Sequence, residues 1–310
     1  MVSVIQACGI VIFAPFIQGV IKRWKAWMQG RVGPSIWQPY RELRKYFRKG
    51  TILSDQSSFV TRTVPFVQIA LVFTAAMTLP LFTASSHMLL GSSNIFLFLY
   101  LLGFARLLTA VIGMDSGSAF GGMGISRDLF ISLLVEPTVF LAIVAVGLAS
   151  GVFSFAAHSL LLLLHPFAGY TLTNLLAGVS LLMIVITEVG RLPIDNPDTH
   201  LELTMIHEAA VLDLSGRHLA LMTLGAWMRQ LLWMTVFIDT CFPYGMATGT
   251  DVFGLIQGFA FWIIKVLLFA GLLAAIESVT AKMRLFAVPR FLTLALSLAI
   301  FALLTNYVGA

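Results

Sequence analysis

Glu136, Glu188, Lys265 and Glu277 stand inside or at the ends of long apolar stretches of this sequence. A charge at the bilayer centre costs about 2.5–3.5 kcal/mol on insertion scales. Charges kept there mark candidate paths for ions or protons, or pairs that fix helix packing. Pro137 directly follows Glu136, so its ring removes a backbone donor and disturbs the helix beside a carboxylate. Lys265 and Glu277 are 12 residues apart, about 18 Å along a helix and too far for a direct pair. Arg106 and Arg229 also fall in apolar stretches and are the expected neutralising partners across the bundle. Asp239, near the end of its stretch, reads as a solvated terminal residue.

The second constellation is TEVGRLPIDNPDTHLELTMIHEAAVLDLSGR, residues 187–217, which gathers six of the 14 acidic residues: Glu188, Asp195, Asp198, Glu202, Glu208 and Asp213. Asn196 and Pro197 read as the cap and first position of a short helix running to about Ala210. On that helix Asp198 and Glu202 share one flank, while His200 and His207 share nearly the opposite one. Zinc sites built on one helix need their ligands on one face, so metal binding is disfavoured. Carboxylates and imidazoles at the mouth of a span that carries Glu188 suit proton exchange near neutral pH. A solvated acidic loop is the other reading, and residue chemistry leaves the two open.

The elements that must position these groups follow from composition. Of the 310 residues, 59% are hydrophobic and 11% charged, whereas a soluble domain carries charge on roughly a quarter. The pattern predicts an all-α integral membrane protein. It has about eight transmembrane helices, at 2–21, 63–85, 94–113, 130–150, 171–190, 219–241, 253–277 and 291–307. A shorter apolar piece around 155–167 reads as re-entrant or interfacial. The first run has no basic residue ahead of it and no small-residue cleavage site, so it is expected to be retained as a helix.

Of 19 basic residues, ten lie between Lys22 and Arg62, and alternate loops carry Arg127, Arg191, Arg217, Lys282, Arg284 and Arg290. The opposite loops, 86–93, 151–170 and 242–252, have no Lys or Arg. The positive-inside rule then makes 22–62, 114–128, 191–217 and 278–290 cytoplasmic loops of a single membrane domain, 1–310, with both termini on the outer side. The net charge of +5 thus reflects topology rather than nucleic-acid binding. Within 22–50, Leu43, Tyr46 and Phe47 lie at helical spacing opposite Arg44, Lys45, Arg48 and Lys49. This predicts a cytoplasmic amphipathic helix, serving either as a lipid anchor or as a docking surface. Cys8 and Cys241, the two cysteines, are too few for an iron–sulfur cluster, so no cofactor or metal is expected in this chain. A secondary transporter is disfavoured because no internal repeat is visible.

Three motifs carry a family resemblance. Glu188, Arg191, Pro193 and Asp195 form E-x-x-R-x-P-x-D, followed by an acidic segment ending Glu202-Leu203; RVGP at 31–34 is followed by Gln38-Pro39; and Arg127 lies nine residues before Glu136. Together they resemble the H subunit family of respiratory complex I over essentially the whole chain. The segments 105–137 and 193–208, and Lys265 with Glu277-Ser278 leading into AKMRL, are similar to the energy-converting NiFe-hydrogenase branch, of the hydrogenase-4 and formate hydrogenlyase type. Asp198 and His200 stand where complex I relatives usually carry glutamates, Asp213-Leu214 where relatives commonly have Glu-Tyr, and only three residues separate Pro34 from Gln38.

The resemblance implies a membrane anchor and ion-coupling subunit in a bacterial or archaeal cytoplasmic membrane. Its expected partners are a hydrogenase-like large subunit, a small iron–sulfur subunit and antiporter-like membrane subunits. The 4Fe-4S and NiFe centres would lie in those partners. The implied ion pathway uses Glu136, Glu188, Lys265 and Glu277 with Arg106 and Arg229. The implied junction with the redox arm uses Arg31, Arg127, Arg191, Asp195, Asp198, His200, Glu202, His207, Glu208 and Asp213. The alternatives are a quinone-site component of a complex I-like oxidoreductase, favoured by a cavity between the first and sixth spans, and a passive anchor.

Overall fold

The computed structural model describes residues 2–54, 57–84, 94–165, 171–195, 206, 208–249 and 251–308. Among them are ten α-helices, two 3₁₀ turns and two isolated β-bridges, with no strand. The predicted helix from Asn196 to about Ala210 lies largely outside the described residues, as do Asp198, His200, Glu202 and His207.

Helix α1 (Val2–Met28) runs past the predicted end at Ile21 because its last turns have partners. Lys25 is buried, and the Trp24 ring lies against Gly271. The amphipathic helix is present as α2 (Gln38–Arg48). Leu43 is buried, Tyr46 is half-buried, and Phe47 remains exposed with the basic residues. The Tyr40 hydroxyl donates to the Ile12 carbonyl at 2.5 Å, fastening α2 along α1.

Side-chain caps set most of the remaining starts, each satisfying an orphan amide of the first turn. Ser58 caps α3 (Phe59–Thr78), Asn94 caps α4 (Ile95–Asp115), Ser118 caps α5 (Ala119–Ser150), Ser154 caps α6 (Phe155–Leu164) and Thr171 caps α7 (Leu172–Glu188). Asp115, at the end of α4, accepts from the Ser58 and Thr61 amides and the Thr61 hydroxyl at 2.5–3.2 Å. A carboxylate thus sits at the α3 N-terminus, where the helix dipole favours it. The chain continues through a 3₁₀ turn (Glu208–Val211), α8 (Gly216–Cys241), α9 (Val252–Val279), a second 3₁₀ turn (Leu285–Ala287) and α10 (Val288–Val308).

Seven helices among the described residues are long and apolar enough to cross a membrane. The eighth predicted run is α7, a shorter apolar helix of 17 residues. Helix α10 packs on α5 and α7, α3 on α4 and α8, and α1 on α3, α8 and α9. One apolar core joins these helices around Ile10, Phe98, Leu181, Leu231 and Trp262.

The largest departure from the helices that the sequence predicts is α5, which starts at Ala119 rather than Phe130. The expected loop 114–128 is therefore mostly helix. Of its glycines, poor helix formers by propensity, Gly124 is there for packing: a Cβ on it would stand 2.1 Å from the Ala209 Cβ. Gly113 on α4 faces the Ala210 Cα at 3.1 Å from its own would-be Cβ. The two glycines form the seat on which the Glu208–Val211 turn rests.

G124A is expected to destabilise the chain by about 1–3 kcal/mol through overpacking. G122A, where a Cβ meets nothing within 4 Å, is expected to gain up to about 1 kcal/mol from helix propensity. Unfolding midpoints in detergent check the contrast, and equal shifts of one sign would show that no such seat exists.

Candidate functional site

The E-x-x-R-x-P-x-D turn leaves α7 and distributes its three charged side chains to three different elements. Glu188 accepts from Arg106 Nη1 of α4 at 2.5 Å, and the other arm of the guanidinium, Nη2, donates to Asp128 of α5 at 3.0 Å. Arg191 donates to Glu277 Oε1 of α9 at 3.0 Å, to Gln230 of α8 at 3.2 Å and to Gln18 of α1. Asp195 accepts from Lys282 at 2.8 Å, just beyond α9, and from the Ile206 amide at 3.3 Å. The turn is therefore wired into two separate buried hubs.

In the first hub one guanidinium holds two carboxylates; Arg106 is 5% exposed, and the Glu188 side chain is 8% exposed. The Arg229 guanidinium also lies in the field of Glu188 and Asp128, so two cations and two acids share this hub. In the second, one carboxylate holds two cations. Glu277 Oε2 faces Lys25 Nζ at 3.1 Å as an ion pair, although the approach lacks hydrogen-bond alignment. The short turn from Glu188 to Arg191 joins the two hubs.

A cavity of about 620 Å³ lies between α4 and α5 and reaches the first hub. Its walls are apolar, including Phe96, Leu133 and Phe140, with Trp233 also in the lining. Its polar groups are Tyr100, Arg106, Ser132, Glu136 and Glu188. Glu136 is exposed on the surface of the single chain, in the middle of a helix long enough to span a bilayer. A second cavity, about 560 Å³, lies beside the end of α1 and is lined by Arg23, Trp24, Trp27, Arg31, Val32 and Gly33.

The structure thus brings together Arg106, Glu188 and, along the cavity, Glu136, and separately Arg191 with Glu277. Arg229 lies in the field of Glu188 and Asp128, but among the described residues it forms no salt bridge with either, and its buried Nε has no hydrogen-bond partner. Lys265 stands apart, donating to the Phe242 carbonyl at 3.2 Å. Asp239 is buried, 1% exposed, and so is not the solvated terminal residue that its position in the sequence indicates.

Arg31 and Asp213 are exposed, and Arg127 and Glu208 are half-buried. Glu208 is close enough to Tyr46 of α2 to act on it: burial first, then the Glu42 and Glu208 carboxylates, push the Tyr46 phenol above its ordinary range. Sequence reasoning misses Asp128, Lys25, Gln18, Gln230 and Lys282. Each lies between 22 and 252 residues from the group it serves, and only Asp128, beside the Arg127 already singled out, carries a nearby signal.

The chain has relatives of known family. Residues 1–307 match the pattern that defines the NADH dehydrogenase family. The sequence is 30% identical over 299 residues to hydrogenase-4 component C of Escherichia coli (strain K12), covering 96% of this chain and 92% of that one. It is 27% identical over 286 residues to formate hydrogenlyase subunit 4 of the same organism, covering 92% of each. A chain in the structure of the membrane-bound sulfane sulfur reductase, an archaeal respiratory membrane complex, superposes with a TM-score of 0.82 over 99% of this chain and 100% of its own length. At 19% identity that likeness establishes the fold alone. A multi-pass helical chain whose E-x-x-R-x-P-x-D turn ties two buried charge hubs together, matched over nearly its whole length, belongs to the NADH dehydrogenase family.

Proposed function

We propose that the chain is the membrane anchor and ion-coupling subunit of a hydrogenase-4-like or formate hydrogenlyase-like complex. Its relatives support the assembly, and the wiring of the E-x-x-R-x-P-x-D turn supports the coupling role. In this reading a hydrogenase-like large subunit and an iron–sulfur small subunit sit over the acidic stretch, and antiporter-like subunits lie alongside in the membrane. The NiFe and 4Fe-4S centres belong to those partners. The positive-inside rule places the basic loops in the cytoplasm and both termini outside, with α7 as the eighth crossing of a bacterial or archaeal cytoplasmic membrane.

The single observation that carries this reading is that Glu188 and Arg191, three residues apart, anchor to different hubs. Displacing the turn from the cytoplasmic side pulls Glu188 against Arg106 and Arg191 against Glu277 at once. Loosening the Arg106–Glu188 pair frees a carboxylate at the cavity that Glu136 lines, and a proton taken there replaces the cation drawn away. A packed interior passes such a shift as a change between discrete arrangements.

E136Q and E188Q in the assembled complex, studied in inside-out vesicles with hydrogen evolution and proton uptake recorded together, test the coupling. Proton uptake per hydrogen evolved is expected to fall by about 10²-fold, the scale of a lost proton-transfer group, while hydrogen evolution persists. Unchanged uptake in either variant removes that residue from the pathway.

A further inference from the structure

The carboxylate of Asp239 lies at the end of α8, at the opposite end of that helix from Arg217 and the acidic stretch. Neither of its buried oxygens accepts a hydrogen bond from the protein. An anion so placed is costly, because burial strips its water without replacing the donors. Three helices pack around this end of α8. From α6, Ser159 Oγ donates to the Asp239 backbone carbonyl at 3.3 Å, and His158 Nε2 meets the Thr240 carbonyl at 3.3 Å. A ring nitrogen facing a carbonyl carries the proton, so the neutral ring keeps Nδ1 as its free lone pair, and that Nδ1 is buried without a partner. From α7, Gly178 leaves room for the Cys241 sulfur, 3.1 Å from where a Cβ would stand. From α9 comes Lys265, the cation whose field acts on Asp239.

Lys265 and Asp239 feel each other but form no salt bridge. The ammonium is instead turned to the Phe242 carbonyl, at an exposed position, and the Phe242 ring is 54% exposed. One member of the pair is buried and lacks donors; the other reaches the surface. A metal cation is a poor occupant here because the Lys265 ammonium repels it, and the Asp239 backbone oxygen is already engaged by Ser159.

We propose that Asp239 and Lys265 form a proton-exchange site at this end of the bundle, in which Asp239 holds the proton inside and Lys265 passes it to and from the surface beside Phe242. In one direction the Lys265 side chain leaves the Phe242 carbonyl and swings to Asp239, where an N–H bond of the ammonium breaks and an O–H bond forms on the carboxylate, leaving a neutral amine and a neutral acid. The amine then regains a proton from water at the Phe242 edge. The reverse sequence releases a proton outward. His158, Cys241 and Lys265 are the titratable groups that the neighbouring helices and α8 itself bring to this corner. The site rests on the ion-coupling reading for the direction of proton flow, but not for its existence.

The test uses the assembled complex in liposomes, with infrared difference spectra recorded across stepped pH and after exchange into deuterated water. The wild type is expected to show the C=O band of a buried protonated acid, absent in D239N. In K265Q the deuterium exchange of that band is expected to slow by about tenfold or more, as befits loss of the transferring group. A spectrum unchanged in D239N, or an exchange rate unchanged in K265Q, overturns the proposal. K265Q, at a half-exposed position, keeps the test decisive if D239N does not fold. The spectrum needs neither electron donor nor acceptor, so its failure leaves the hydrogenase-like reading standing. Conversely, absence of hydrogenase activity would leave this site intact.

Discussion

E277Q is expected to destabilise the folded chain by about 3–5 kcal/mol, the cost of breaking a buried ion pair by removing one partner. Glu277 is 2% exposed, and its carboxylate is the anion between Lys25 and Arg191, whose side chains are 11% and 4% exposed. Without it two buried cations face each other across a neutral amide, and the repulsion of like charges adds to their lost hydration. Arg191 keeps its contacts to Gln18 and Gln230, and K25Q takes away the other cation of the hub. The double variant K25Q/E277Q is therefore expected to recover about 1–2 kcal/mol relative to E277Q, within the range of couplings between residues in contact. Unfolding in detergent, followed by tryptophan fluorescence, reads both variants. A loss below about 1 kcal/mol for E277Q, the scale of an exposed pair, would show that the hub does not hold α1, α9 and the α7 turn together.

The contrast between hubs and helices shows what this sequence discloses. The apolar runs announce the spans because each needs about 20 residues of one character, and α3, α4, α8, α9 and α10 fall within a few residues of the predicted runs at most ends. The start of α5 does not, because three glycines within 119–124 read as a loop, and of these Gly124 alone is explained by the seat for Ala209. The intramembrane charges announce themselves singly by their cost, which is why Arg106, Glu188 and Glu277 stand out. Their partners do not: Lys25 sits in a basic segment where it reads as one topology signal among ten, and Asp128 looks like loop. Pairing across helices is a property of the bundle, not of local spacing, and Arg229 shows it too, since the bundle sets it in the field of Glu188 and Asp128 without a salt bridge to either. Asp239 misleads for a related reason: a span end is near solvent only if no other element covers it, and α6 does.

R106M is expected to cost about 3–5 kcal/mol by removing the guanidinium that Glu188 and Asp128 share. R106K is expected to recover only part of this. The guanidinium reaches Glu188 through Nη1 and Asp128 through Nη2, a fork that a single ammonium on a flexible stem does not reproduce. The order of stability is therefore wild type, then R106K, then R106M. The double variant R106M/D128N should lie above R106M, because it removes one of the two stranded carboxylates. The same series separates structure from coupling. R106K keeps the charge and loosens the geometry, so in the assembled complex it is expected to fold and evolve hydrogen yet lose proton uptake, whereas a purely structural hub would lose both in proportion to stability. Equal stability of R106K and wild type would mean that one contact suffices. In that case the fork between α5 and the α7 turn would not be the element through which movement of the acidic stretch reaches the cavity.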